Sequence, residues 1–509
     1  MRKFNIIWER TEGISVSLQT VALVFMQRKF LANLSFLLLL NLIIKPVWIF
    51  GIDLTVQNMV GAEIYGFYFT LFNFSFLFNI LFDFGITNFN NRNIAQNAQL
   101  LNKHFSSIVI LKILLGILYF IITFLAAIIW GYRGNELYML LFLGINQFLI
   151  SFILYLRSNV SALLFFKTDS ILSVLDRIVM IAICSVLLWG GVTKTPFRIE
   201  WFVYAQTIAY LITFLVAYTV VIKKASFKRF KWNYPFFLMI LKQSFPYALL
   251  VLLMTFYNKI DTVMLTRLIE GPAGKIQSGI YAHAYRLLDA VNSFAFLFSM
   301  LLLPLFARLI KIGSGVEKIL KLSFSILFVL SVTVSAVSVV FNYPIMQLLY
   351  GNNHIIESAN LFPVLMSSFI AMSTSYVFGT LLTANGNLKQ LNYLAAIGMA
   401  LNISLNIILI PKYAAYGSAW ASLITQSLIS ALQVILSILY LKIKISYSYL
   451  TKLLSFIAGV ILLGYLLPFL QIGWLVKMSL MVAATFSLAA ILKLLHLGHF
   501  IDVLKGRVG

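Results

Sequence analysis

Lys45 stands deep within the apolar run NLSFLLLLNLIIKPVWIFGIDLTV. At the centre of a bilayer an isolated ammonium costs about 3 kcal/mol or more unless it meets water, a counter-charge or an anionic ligand. Other ionisable residues are placed the same way: Asp83, Lys112, Asp176 and Arg177, then Lys259, Asp261, Arg286 and Asp289. Cations so placed can offset the desolvation of an anion, and carboxylates can titrate. Together these charges mark a pathway lined through apolar segments.

Residues three, four and seven apart share a helical face, which sorts these charges into stripes. Asn41, Lys45 and Trp48 form one stripe; Tyr68, Phe72, Ser75 and Asn79 form a second, with Asp83 a turn beyond. Thr255, Lys259, Thr262 and Thr266 form a third, and His283, Arg286 and Ser293, with Asp289, a fourth. The cations Lys45, Lys112, Lys259 and Arg286 are expected to line a cavity whose polar wall is Asn41, Trp48, Asn79, Thr255, Thr262 and Ser293. Asp261 and Asp289 are the groups expected to couple to an ion gradient of H+ or Na+. The competing reading is structural: Asp53 and Asp83 lie near span ends, and Arg286 can pair with Asp289 three residues on. Lys45 and Lys259 have no carboxylate one turn away in their own helices, which favours the cavity for them.

The elements that must position these residues are membrane helices. The chain is 61% hydrophobic and its mean hydropathy is +0.96. About 20 apolar residues cross the hydrocarbon core as a helix. Hydropathy predicts an all-α integral membrane protein of about fourteen spans, at 33–55, 65–87, 105–130, 137–156, 171–189 and 201–222, then 246–268, 280–306, 319–341, 359–384, 391–410 and 416–441, and finally 449–470 and 474–495. The net charge of +23 suggests no nucleic acid, because the basic residues cluster at span ends. Arg28, Lys29, Arg92, Arg157, Lys223, Lys224, Lys318 and Lys442 fall on one side, while the other receives few, among them Arg133, Lys194, Arg198 and Lys275. That asymmetry places both termini in the cytoplasm.

Several chemistries have no footing in the sequence. Cys184 is the single cysteine and lies within a span, so no disulfide framework or cysteine metal site is available. The histidines, His104, His283, His354, His496 and His499, lack metal-ligand spacing, and no GxxxxGK[ST] phosphate loop occurs. No cofactor is expected. A membrane enzyme would need a large outer loop or a deep catalytic His or carboxylate pair, so no enzyme is expected either.

Two stretches form a weak internal repeat: IDLTVQNMVGAEIYGFYFTLFNF and IDTVMLTRLIEGPAGKIQSGIYAHAYRLL. Each carries Ile-Asp near a helix end, a glycine-containing turn, and Gly-x-Tyr opening the next span. Transporters built from two such halves hold their site between them. The basic segment KKASFKRFKWNYPFFLMILKQSFP separates the halves and reads as a cytoplasmic linker. The expected division is therefore 1–222 as one six-helix bundle, 223–245 as linker, 246–441 as a second six-helix bundle, and 442–509 as two further helices with a tail.

The passage LLTANGNLKQLNYLAAIGMALNISLNIILIPKYAAYGSAWASLITQSL resembles a signature of the multidrug/oligosaccharidyl-lipid/polysaccharide exporter superfamily. The matching elements are Asn385-Gly386, Asn402, Asn406, Ile410-Pro411-Lys412-Tyr413 and Gly417-Ser418-Ala419. The hairpin VGAEIYGFYFTLFNFSFLFNILFDFGITNFNNRNIA, with Asp83-Phe84-Gly85 and then Arg92, resembles the first hairpin of the Wzx-type polysaccharide (O-antigen) flippases of that superfamily. The resemblance implies a fold like that of the multidrug exporters and residence in the plasma (inner) membrane of a prokaryote. It implies movement of a polyprenyl-pyrophosphate-linked oligosaccharide from the cytoplasmic to the outer leaflet, with polysaccharide polymerase machinery as a partner. It fixes no binding residue. A lipid-linked peptidoglycan-precursor flippase and a cation-coupled multidrug exporter are the alternatives, and the deep cations argue against the second.

Overall fold

The computed structural model describes residues 39–41, 43–87, 90, 94, 99–163, 165–191, 195–223, 232–311, 315–351, 354–443 and 446–495. Arg28, Lys29, Arg92, Lys194, Lys224, His496 and His499, on which expectations were placed above, lie outside these residues.

Hydrocarbon leaves no partner for a free backbone N–H or C=O, so apolar segments satisfy themselves as helices. In chain order these are α1 (Leu39–Leu77), α2 (Leu100–Ile129), α3 (Asn135–Ala162), α4 (Phe166–Trp189), α5 (Ile199–Ile222), α6 (Tyr234–Leu268), α7 (Pro272–Lys311), α8 (Glu317–Val340), the short α9 (Asn342–Tyr350), α10 (Ile355–Ala384), α11 (Leu388–Leu441), α12 (Tyr447–Leu466) and α13 (Trp474–Ile491). Among the described residues, 11 helices are long and apolar enough to cross a membrane. Two of these, α1 and α11, are pairs of helices meeting at a break, at Gly61 (φ 79°, ψ 169°) and at Ala414 (φ 51°, ψ −133°). With each break taken as a turn at the surface, and with the 40-residue α7 as a further crossing, the expected order of spans is reproduced.

The boundaries differ in two places. The second expected span stops early, at Leu77, and passes through a 3-10 turn at Asn79–Phe82. There Asp83 takes up the backbone N–H of Thr87 at 3.3 Å. The expected linker is partly helical: α6 begins at Tyr234 and runs unbroken through Pro246. Pro46, by contrast, introduces a π-helical turn over Val47–Asp53, a distortion that widens α1 beside Trp48 and Asp53.

Helices α1 to α5 pack as one bundle and α6 to α11 as a second, with α12 and α13 resting on α8. The second part of α1 also packs against α6 and α7 and so joins the bundles. Its closest approach uses the glycines of the sequence repeat. A Cβ on Gly66 would lie 1.9 Å from the Lys275 carbonyl oxygen, and one on Gly279 would lie 2.0 Å from that of Ala62. Only glycine permits such backbone contact. Polar side chains complete the seal: Thr70 Oγ1 and Ser278 Oγ share a hydrogen bond of 2.7 Å, and Asn73 Nδ2 donates to Thr262 Oγ1 at 2.9 Å. The two copies of the repeat thus pack on each other.

Candidate functional site: a charged seam between the bundles

The seam is built where α1 and α4 face α6 and α7. Arg286 of α7 places Nε 3.2 Å from Asp53 Oδ2 and donates to the Tyr65 hydroxyl at 2.9 Å. Tyr65 in turn donates to Asp53 Oδ1 at 2.9 Å. The guanidinium also lies 4.8 Å from the Phe69 ring centroid, a favourable cation–π contact. Asp53 is 2% exposed, so this triad joins the bundles through a desolvated carboxylate.

One turn along α7, Asp289 pairs with Lys259 of α6 at 3.1 Å, and Lys259 Nζ sits 4.5 Å from the Tyr285 ring centroid. On the other bundle Arg177 of α4 lies 3.6 Å from Asp176 and over the Trp48 ring at 5.4 Å. Trp48 is itself stacked on Phe202 with centroids 5.7 Å apart. Phe202 meets Tyr68, and Tyr68 meets Tyr65, with centroids 5.5 Å apart in each pair, so a chain of rings links the Arg177 side to Arg286. Lys45, half-buried, feels both Arg177 and Asp176. It makes no ion pair within 4 Å among the described residues. Arg177, Lys259 and Arg286 are thus each paired with a carboxylate, Asp176, Asp289 and Asp53, while Lys45 has no such pair among the described residues.

The expected cationic set is brought together in part. Lys259 and Arg286 share the α6–α7 side of the seam, Lys45 lies toward Arg177 and Asp176 of α4, and Lys112 is elsewhere, 1% exposed within the first bundle. Its three protons go to Phe82 O at 3.0 Å, Asp83 Oδ1 at 2.9 Å and Ser151 Oγ at 2.9 Å, so none is left for a ligand. The expected intrahelical alternative, Arg286 with Asp289, is also replaced, because each finds its partner on another helix. Lys259, without a carboxylate on its own helix, gains Asp289 from α7.

The expected polar wall is dispersed. Asn41 bonds Ser173 at 3.4 Å, and Asn79 bonds Gln147 at 2.5 Å. Thr255 and Ser293 turn back to the carbonyls of Val251 and Ala290, and Thr262 belongs to the seal. Trp48 lies in the seam as a platform rather than a polar group. Asp261 stands behind it, 1% exposed, accepting from Tyr281 at 2.6 Å and Asn406 at 2.8 Å. Asn406 is fixed by Asn402 and Ser418. Arg177 is the seam residue missing from the expected set. Among the described residues no three His, Cys, Asp or Glu side chains converge as metal ligands.

Three comparisons place this architecture. A lipid II flippase, MurJ, in an inward closed conformation shares 15% identity at a TM-score of 0.67, over 89% of this chain and 98% of that one. An inward-facing MATE family multidrug transporter of the MOP superfamily shares 13% at 0.59, over 79% and 94%. A MOP superfamily transporter from Pyrococcus furiosus, described as having a binding pocket of reverse polarity, shares 15% at 0.55, over 82% and 94%. At these identities the likeness concerns the fold. No curated protein matches the chain. The family described as "Polysaccharide biosynthesis protein" matches residues 30–310, more than half of the sequence, and the chain belongs to that family.

Proposed function

We propose that this protein is a flippase that carries polyprenyl-pyrophosphate-linked oligosaccharide from the cytoplasmic to the outer leaflet by alternating access, with both termini cytoplasmic. The observation that carries the reading is Lys45, a half-buried cation with no ion pair within 4 Å among the described residues, on the side of the seam that holds Arg177. A pyrophosphate brings two or more negative charges and bidentate oxygens, which suit guanidinium groups in a partly desolvated site. A lipophilic drug cation would meet repulsion from the same groups. The glycine seal between α1 and α7 closes one end of the seam, and the isoprenoid tail stays in the lipid between the bundles. Asp261 and Asp289 are the candidate coupling groups. Purified protein in liposomes should move a fluorescent polyprenyl-pyrophosphate saccharide across the bilayer and leave ethidium untouched. Ethidium transport without saccharide movement would sink the reading.

A further inference from the structure

Beside the glycine seal lies a hollow of about 760 Å³. It lies between the helix starts that follow Gly61, Gly134 and Arg198, and it touches α7 at Lys275. A second, smaller hollow of about 390 Å³ occupies the equivalent place in the other bundle, at Gln277, Glu357, Asn360, Tyr413 and Tyr416. These two spaces lie at corresponding places in the two halves, and the side chains decide what each can hold.

The larger hollow is walled by Tyr138, Phe142, Trp201 and Tyr204. Tyr138 is 54% exposed, and its hydroxyl meets that of Tyr204 at 3.3 Å. Three carboxylates share the space: Glu63, Glu136 and Glu200. Glu136 accepts from the Arg133 backbone N–H at 3.0 Å, and Glu200 lies 3.4 Å from Arg198. Glu63 is exposed and has no hydrogen bond or ion pair among the described residues.

Aromatic residues alone would be an interfacial belt. Carboxylates in the same hollow are not explained by that. They repel a pyrophosphate, since they outnumber Lys275 and Arg198, and an acyl chain would strip their water without replacing it. A pyranose fits both kinds of wall: its C–H face packs on a flat ring, and its hydroxyls donate to carboxylate oxygens. We propose that this hollow is a saccharide-binding subsite that receives the sugar unit as it leaves the seam. This rests on the flippase reading for its place in transport, and on the wall chemistry alone for its ligand.

The test uses the full-length protein in lipid nanodiscs on an array of free oligosaccharides of neutral hexoses, N-acetylhexosamines and uronic acids, without lipid or phosphate. At least one glycan should bind, with affinity reduced tenfold or more by Tyr138→Ala and by Glu63→Gln, preserved by Tyr138→Phe, and unchanged by Lys45→Ala. Failure of every glycan to bind overturns the subsite, as does binding abolished by Lys45→Ala yet intact in Tyr138→Ala. Native mass spectrometry supplies the lipid alternative: a phospholipid held by the native protein and lost in Tyr138→Ala, with no glycan bound, overturns it too. Saccharide-lipid movement measured on the same preparations separates the two readings. Movement without glycan binding rejects the subsite alone, and glycan binding without movement rejects the flippase and leaves a sugar site.

Discussion

Arg286 on α7 lies 3.2 Å from Asp53 on α1, so a single ion pair ties one copy of the sequence repeat to the other across the seam. Tyr65 bonds both partners and fixes their geometry. Under the proposed function an incoming phosphate competes with Asp53 for the same guanidinium, and the pair would then open as substrate binds.

Removing one partner of a buried pair typically costs about 3–5 kcal/mol because the other charge stays behind. Asp53→Asn should therefore loosen α1 from α7. With Cys184→Ala as background and Ser278→Cys as reporter in the seal, the thiol should react with an impermeant reagent at least tenfold faster when Asp53→Asn is added. An unchanged rate would mean that the pair does not hold the bundles together.

The glycine contact predicts a second failure of closure. A methyl on Gly66 or Gly279 meets backbone carbonyl about 2 Å away, which no rotamer change can relieve. Gly66→Ala and Gly279→Ala should each reduce transport tenfold or more while the protein still accumulates. Gly61→Ala is the contrast: no atom lies within 4 Å of its Cβ, and the penalty is the backbone conformation alone, φ 79° with ψ 169°, a region essentially reserved for glycine that costs another residue about 1–3 kcal/mol. It should lower the melting temperature without abolishing transport. Equal transport loss in all three would remove the close contact as the cause.

Lys45 and Lys112 look alike in sequence, each a lone cation in an apolar run, yet their replacements should diverge. Lys112→Met leaves Asp83 without its counter-charge, takes the ammonium donor from Ser151, and leaves the Phe82 carbonyl only the 3.4 Å bond from Ser151, so membrane accumulation should fall sharply. Lys45→Ala breaks no bond among the described residues, so accumulation should stay normal while transport falls tenfold or more. Expression and transport measured on both decide it; normal transport in Lys45→Ala would show that the unpaired charge is idle.

The same pair explains what was legible in the sequence. Span order follows from hydropathy because hydrocarbon forces helices, and the repeat at Ile52-Asp53 and Ile260-Asp261 could be read directly. Periodicity reports only neighbours along one helix. It could not reveal that Lys112 meets Asp83 and Ser151 across the bundle, that Asp289 serves Lys259 rather than Arg286, or that Arg177 reaches over Trp48. Nor could the halt of the second span at Leu77 be read, since the apolar run continues through Phe82 while the backbone turns.

Asp261 offers the sharpest test of coupling. It occupies the repeat position of Asp53, but where Asp53 has Arg286, Asp261 is held by neutral donors, Tyr281 and Asn406. No cationic side chain lies within 4 Å of it among the described residues. A buried carboxylate without a counter-ion is expensive unless it takes up a proton or a cation. On the coupling reading the neutralising charge comes from outside, and its occupancy follows the gradient. Asn is nearly isosteric and already neutral, so Asp261→Asn should fold and accumulate but lose stimulation of transport by an imposed H+ or Na+ gradient. Asp289→Asn should behave differently: it frees Lys259, makes the seam more positive, and should alter substrate affinity while gradient stimulation persists. The check is initial transport rate in liposomes with and without each gradient. Stimulation retained in Asp261→Asn but lost in Asp289→Asn would move the coupling group from behind the seam into it.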